Sequence, residues 1–136
     1  MTTSSDDAGN ATRPPQPVPH DGVVPGRTFQ VAIDANDPVL LRPFWITALN
    51  YQEQVTDEGA VDLVDPAGRG PTIWFQQVPE TKTAKNRLHL DIKVSPTQRA
   101  VLVEKLIALG GTVVSSFPRF TVLADPEGNE VCLTDD

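Results

Sequence analysis

The chain carries the same punctuation twice. "LVDPAG" (63–68) and "LADPEG" (123–128) each read as a strand end running into an Asp-Pro-x-Gly turn, and they lie 60 residues apart. The prolines that open two helical stretches, Pro38 and Pro96, are 58 apart, and the helix stops Asn50 and Gly110 are 60 apart. Repeated chemistry at a repeated interval constrains the fold more than any single motif. Each unit is about half a domain and reads β-α-β-β-β. One sheet face is covered by the unit's own helix and the other is bare. Two such units can join their bare faces into an open, curved sheet of eight strands around a cavity, with the helices outside. The fold class is α+β.

Local patterns support this unit by unit. "TFQVAIDA" (28–35) alternates, with Phe29, Val31, Ile33 and Ala35 on one face and Gln30, Ala32 and Asp34 on the other. Asp37 then Pro38 is a helix start, with Asp as N-cap and Pro at the first helical position. Leu41, Phe44, Trp45, Ala48 and Leu49 form an apolar stripe, and Asn50 can end the helix in the left-handed conformation. Pro43 lies inside this helix, which predicts a kink or an early break there. In the second unit Ser95 is the cap, Pro96 the first position and Gln98 completes a capping-box spacing. Leu102, Val103, Leu106 and Leu109 make that stripe, stopped by Gly110-Gly111. The last strands are expected near 71–78 and 129–134.

Residues 1–26, "MTTSSDDAGNATRPPQPVPHDGVVPG", hold much of the proline and no periodic apolar pattern. They read as a disordered tail without the features of a signal peptide. The ordered domain is 27–136, with module one at 27–79 and module two at 86–135. No stretch approaches the ~20 apolar residues that span a bilayer. The net charge is −7, and the densest basic group is Lys82, Lys85 and Arg87. Nucleic-acid and membrane-surface binding both need a basic patch, so neither is expected. A single cysteine, Cys132, excludes an intrachain disulfide, and a cytoplasmic location is the simplest reading.

"RLHLDIKV" (87–94) poses the functional question. Leu88, Leu90, Ile92 and Val94 face one way; Arg87, His89, Asp91 and Lys93 face the other. Either the second face meets water or it lines an enclosed pocket, and we read it as lining the pocket. His89 and Asp91 are then the best candidates for catalytic groups. A buried pair would make His89 an acid or base, whereas a pair at the rim in water would not.

The stretches "FQQVPETKTAKNRLHLDIKV" and "FTVLADPEGNEVCL", set in paired βαβββ units, resemble the small bacterial glyoxalase-like and bleomycin-resistance-like domains. Those belong to the vicinal oxygen chelate superfamily, with glyoxalase I, extradiol dioxygenases and fosfomycin-resistance proteins. The resemblance covers about residues 27–135. It implies a cup holding a divalent metal, with ligands from the first and last strand of each unit, commonly His or Gln, Glu, His and Glu. Carried over, these positions fall on Gln30, Trp74, His89 and Cys132, with Gln76 on the same face as Trp74. Gln30 and His89 match allowed types, whereas Trp74 and Cys132 stand where carboxylates are expected. The resemblance also implies a homodimer.

Divalent-metal binding at that site needs at least three protein donors. Besides His89 and Cys132, the third would have to be Asp91 or Glu130, so no cofactor is expected. Trp45 reads as core, Trp74 as a stacking wall of the cup, and Cys132 as a small buried hydrophobe. Glu130 is either a displaced carboxylate or a solvated one. The polar loop "PETKTAKNR" (79–87) faces solvent and is placed to gate the cup. The leading expectation is a metal-free protein binding a small organic molecule through Gln30, Trp74, Gln76, His89, Asp91 and Cys132. The alternative is a metal-dependent lyase, isomerase or dioxygenase of the glyoxalase type. A third is an interaction module with a filled cup.

Overall fold

The structure is a computed structural model, and it describes residues 22–136. The tail reading therefore falls outside the described residues except for 22–26, which are exposed. Module one contains β1 (Val31–Ala35), α1 (Pro38–Leu49), β2 (Gln52–Val55), β3 (Val61–Val64) and β4 (Ile73–Gln77). Module two contains β5 (Leu90–Val94), α2 (Pro96–Ala108), β6 (Thr112–Ser116), β7 (Phe120–Ala124) and β8 (Glu130–Asp135). Each is a four-stranded sheet, ordered β1-β4-β3-β2 and β5-β8-β7-β6. First and last strands pair parallel across a helical crossover, and the other neighbours pair antiparallel. The α+β architecture of two βαβββ modules is as the repeat requires.

Helix ends follow the local chemistry. The Asp37 carboxylate accepts from the Leu40 amide and the Ser95 hydroxyl from the Gln98 amide, satisfying donors with no intrahelical partner. Asn50 ends α1 with φ 55° and ψ 44°. The break expected at Pro43 does not occur: α1 continues to Leu49. The missing proline N–H leaves the Val39 carbonyl without its helical partner. Both Val39 and Pro43 are exposed, so water can meet that carbonyl, and the helix survives the loss.

One core serves both modules. It joins Leu41, Phe44, Trp45 and Ala48 of α1 to Leu63 and Ile73 of the first sheet, and to Leu106, Leu123, Val131 and Leu133 of module two. Gly111 is required at that junction: a Cβ there would lie 2.6 Å from the Phe44 ring and 2.8 Å from the Leu106 carbonyl. Two polar contacts tie the same elements. The Trp45 indole N–H donates to Asp125 Oδ2 at 2.9 Å. The Glu127 carboxylate accepts from the Asn36 and Asp37 amides, each at 2.7 Å, where α1 begins. The second Asp-Pro-x-Gly turn thus caps the first module's helix, placing a negative charge at its N-terminus.

Alternation sorts the faces within the strands, but Phe29, read with the apolar face of the first strand, lies ahead of β1 and is 68% exposed. Ala35, Ile73, Val131 and Leu133 turn inward, while Ala32, Asp34, Asp91 and Lys93 are exposed. The first strand of module two is shorter than "RLHLDIKV" suggests. It begins at Leu90, and Leu88 is 77% exposed rather than core. Only from Leu90 onward does β8 offer ladder partners, beginning with Val131.

Candidate functional site

The repeat assigns equivalent positions on the two open faces. Val31 pairs with Ile73 as Leu90 pairs with Val131, so Ala32 opposite Trp74 corresponds to Asp91 opposite Cys132. Successive strand residues alternate faces, so Asp91 and Cys132 lie side by side on the face away from the core. His89 stands two residues before Asp91, just ahead of the strand. Its Nδ1 lies 3.1 Å from Asp91 Oδ1. Donor atoms of His89, Asp91 and Cys132 all lie within 4.8 Å of one another.

The His89–Asp91 pair is open to water, with side chains 41% and 56% exposed. It is the rim arrangement rather than the buried one. Cys132 is buried. Burial pushes its thiol above the usual value, and the neighbouring Asp91 carboxylate adds to the shift by charge and by hydrogen bonding. The thiol form therefore dominates at neutral pH, which suits a packed cysteine and not a nucleophile.

Where the modules meet on this side there is a crease of about 240 Å³. Val31, Ile33, Leu90 and Trp45 supply apolar wall; Asp34, Asn86, His89, Asn129 and Glu130 supply polar groups. It adjoins a polar hollow of about 640 Å³ beneath the 79–87 segment, sharing Asp34, Asn86 and Asn129. Within that segment Lys85 pairs with Glu130, holding the loop against the mouth of the crease.

The sequence-based candidates divide. His89, Asp91 and Cys132 come together. Gln30 is exposed ahead of β1 and lines a separate hollow of about 320 Å³ with Phe29, Arg69 and Pro71. Trp74 is half-buried opposite Ala32, and Gln76 is exposed opposite Asp34; neither lines the crease. Trp45 is core, as read, yet it also touches the crease and anchors Asp125. Asp34, Asn86 and Asn129 were not singled out. Asp34 shares strand parity with Gln30 and Ala32, which was signal enough; the two asparagines sit in loops and leave none.

Paired βαβββ modules with an open polar face define the class of protein. The family model of the glyoxalase-like domain matches residues 30–134, and the chain belongs to that family. No curated protein sequence matches. Among solved structures, similarity extends to a glyoxalase/bleomycin resistance protein/dioxygenase family enzyme from Burkholderia phytofirmans PsJN. The identity is 21% and the TM-score 0.63, covering 78% of this chain and 95% of that one. The fosfomycin resistance protein FosX from Mesorhizobium loti is 12% identical with a TM-score of 0.67, covering 82% and 92%. FosX from Listeria monocytogenes, complexed with Mn(II) and sulfate, is 13% identical with a TM-score of 0.65, covering 83% and 91%. At such identities these structures share the fold.

The divalent metal that the superfamily implies can be tested against the residues present. Its four positions fall on Gln30, Trp74, His89 and Cys132. An indole has only an N–H donor and cannot ligate. Gln30 and His89 line different hollows. Cys132 offers sulfur where a hard cation takes oxygen. The four-position set does not fit. Among the described residues no helix is long and apolar enough to cross a membrane.

Proposed function

We propose that this chain binds a small organic molecule in the crease between its modules, without the superfamily's four-donor metal site. The carrying observation is the crease itself, which joins apolar wall from both modules to converging polar groups. Its 240 Å³ lies just below the range of about 300–1,000 Å³ usual for ligand pockets, which suits a small ligand. Asn86 lines the crease, and its shielded Oδ1 has no hydrogen-bond partner among the described residues. A ligand N–H or O–H would offset that cost.

The test is a fragment screen by thermal shift on metal-stripped protein, repeated with Ala32→Trp, which fills the crease from an exposed strand position. Hits should stabilise the parent chain and lose their effect on the variant. Hits that stabilise both equally would place binding elsewhere. A second reading, a metal-dependent lyase, isomerase or dioxygenase, is favoured by the convergence of His89, Asp91 and Cys132. Cytoplasmic residence and a homodimer belong to the same proposal. The edge strands β2 and β6 expose Val55, Val113 and Val114, which suits pairing between copies.

A further inference from the structure

The family's four metal positions are broken across this chain, yet three donors converge in one module. We propose that His89, Asp91 and Cys132 form a three-donor site for a zinc-class cation, built by module two alone. The inference shares His89 with the crease of the small-molecule reading, while Asp91 and Cys132 lie outside its lining.

Backbone pairing fixes the grouping. Parallel register sets Asp91 beside Cys132, and the Nδ1–Oδ1 contact brings His89 to Asp91. Donors around tetrahedral zinc, with bonds of about 2.0–2.3 Å, stand roughly 3.3–3.8 Å apart. The present group spans no more than 4.8 Å, so closing it needs a contraction of about 1 Å. The half-exposed side chains of His89 and Asp91 are free to supply that by small rotations. Imidazole and thiolate select zinc or cobalt over magnesium, calcium and manganese. Three protein donors with a position left open is the form of a catalytic rather than a structural zinc site.

The alternatives near the group are accounted for. Module one has Ala32 and Trp74 at the positions of Asp91 and Cys132, so it contributes no donor there. Glu130, the next carboxylate, is held by the Lys85 ammonium. The family's site draws on both modules; this one would draw on β5, the residue just ahead of it and β8, all in module two.

The experiment uses the full chain stripped with a chelator. Zinc binding is read by competition with a chromophoric chelator, and cobalt binding by optical spectroscopy. One equivalent of zinc should bind, and cobalt should give a thiolate charge-transfer band in the near ultraviolet. His89→Ala and Asp91→Asn should each weaken zinc by more than about 100-fold, above the roughly 10–100-fold typical of losing an outer-shell partner. Gln30→Ala should change nothing. Cys132→Ser should abolish the band. If that variant does not fold, zinc protection of Cys132 from alkylation in the parent chain serves as the readout. Three results overturn the proposal: no stoichiometric zinc, cobalt bound without a thiolate band, or affinity unmoved by both His89→Ala and Asp91→Asn. The fragment screen uses the stripped chain, so it fails or succeeds independently of this result.

Discussion

Trp45 joins the two modules by packing and by a hydrogen bond, and its replacement by Phe has a calculable cost. The side chain is 2% exposed, packs edge-on against Phe44, and donates to a carboxylate that is itself 3% exposed. Phe removes the donor and part of the ring. A hydrogen bond to a charged group contributes about 1.5–3 kcal/mol. Asp125 retains donors in the Glu127 and Asn129 amides and the Asn129 side chain, so the lower end applies. The lost ring atoms add about 1–2 kcal/mol, as one or two buried methylenes would. Trp45→Phe should therefore destabilise the chain by about 2.5–3.5 kcal/mol.

A double-mutant cycle with Asp125→Asn separates the contact from the ring volume. Urea titration followed by circular dichroism gives each corner. We expect a coupling of about 1–2 kcal/mol. A coupling below about 0.3 kcal/mol, the range in which independent sites add, would refute the view that this contact staples the modules.

Other outcomes follow from the same geometry. Arg99 donates through Nε to Asp135 at 2.8 Å, through Nη1 to Thr121 at 3.0 Å and through Nη2 to the Pro118 carbonyl at 2.7 Å. Lysine cannot reproduce that fork, so Arg99→Lys should cost about 1–2 kcal/mol by urea titration, with little added by raising salt. Asp62 has its carboxyl raised above the usual value, first by burial and then by Glu58. A raised acid is held protonated more tightly in the folded chain, so its penalty is absent below the unfolded value and complete above the folded one. Asp62→Asn should raise the melting temperature at pH 7 and leave it unchanged at pH 3 by calorimetry; equal gains at both would break the reasoning. Gly111→Ala should destabilise by about 2 kcal/mol or more, because the added methyl meets the Phe44 ring and a backbone carbonyl.

Much of the fold was legible because its signals are local. Asp37, Ser95 and Asn50 act within a few residues of themselves, and the 60-residue interval between turns marks the modules without any tertiary knowledge. The strand parity of Ala32, Asp34 and Asp91 was readable for the same reason. What was hidden is non-local. Asp91 meets Cys132 through a parallel register 41 positions apart, which no spacing rule encodes. Glu127 reaches back 90 residues to cap α1. Gln30 is the mate of His89 by repeat arithmetic and by register, each standing one residue before its module's first strand, yet the two side chains line different hollows. Leu88 kept the alternation of a strand without a ladder partner to make it one.

The proposed site is the open face of module two, at the module junction. Amide chemical-shift mapping of the isotope-labelled, metal-stripped chain titrated with its screening hits tests this most directly. Amides of Asp34, Asn86, His89, Leu90 and Glu130 should move together and saturate at one affinity. Shifts confined to Thr28, Gln30 and the 68–72 turn, with His89 unmoved, would contradict it.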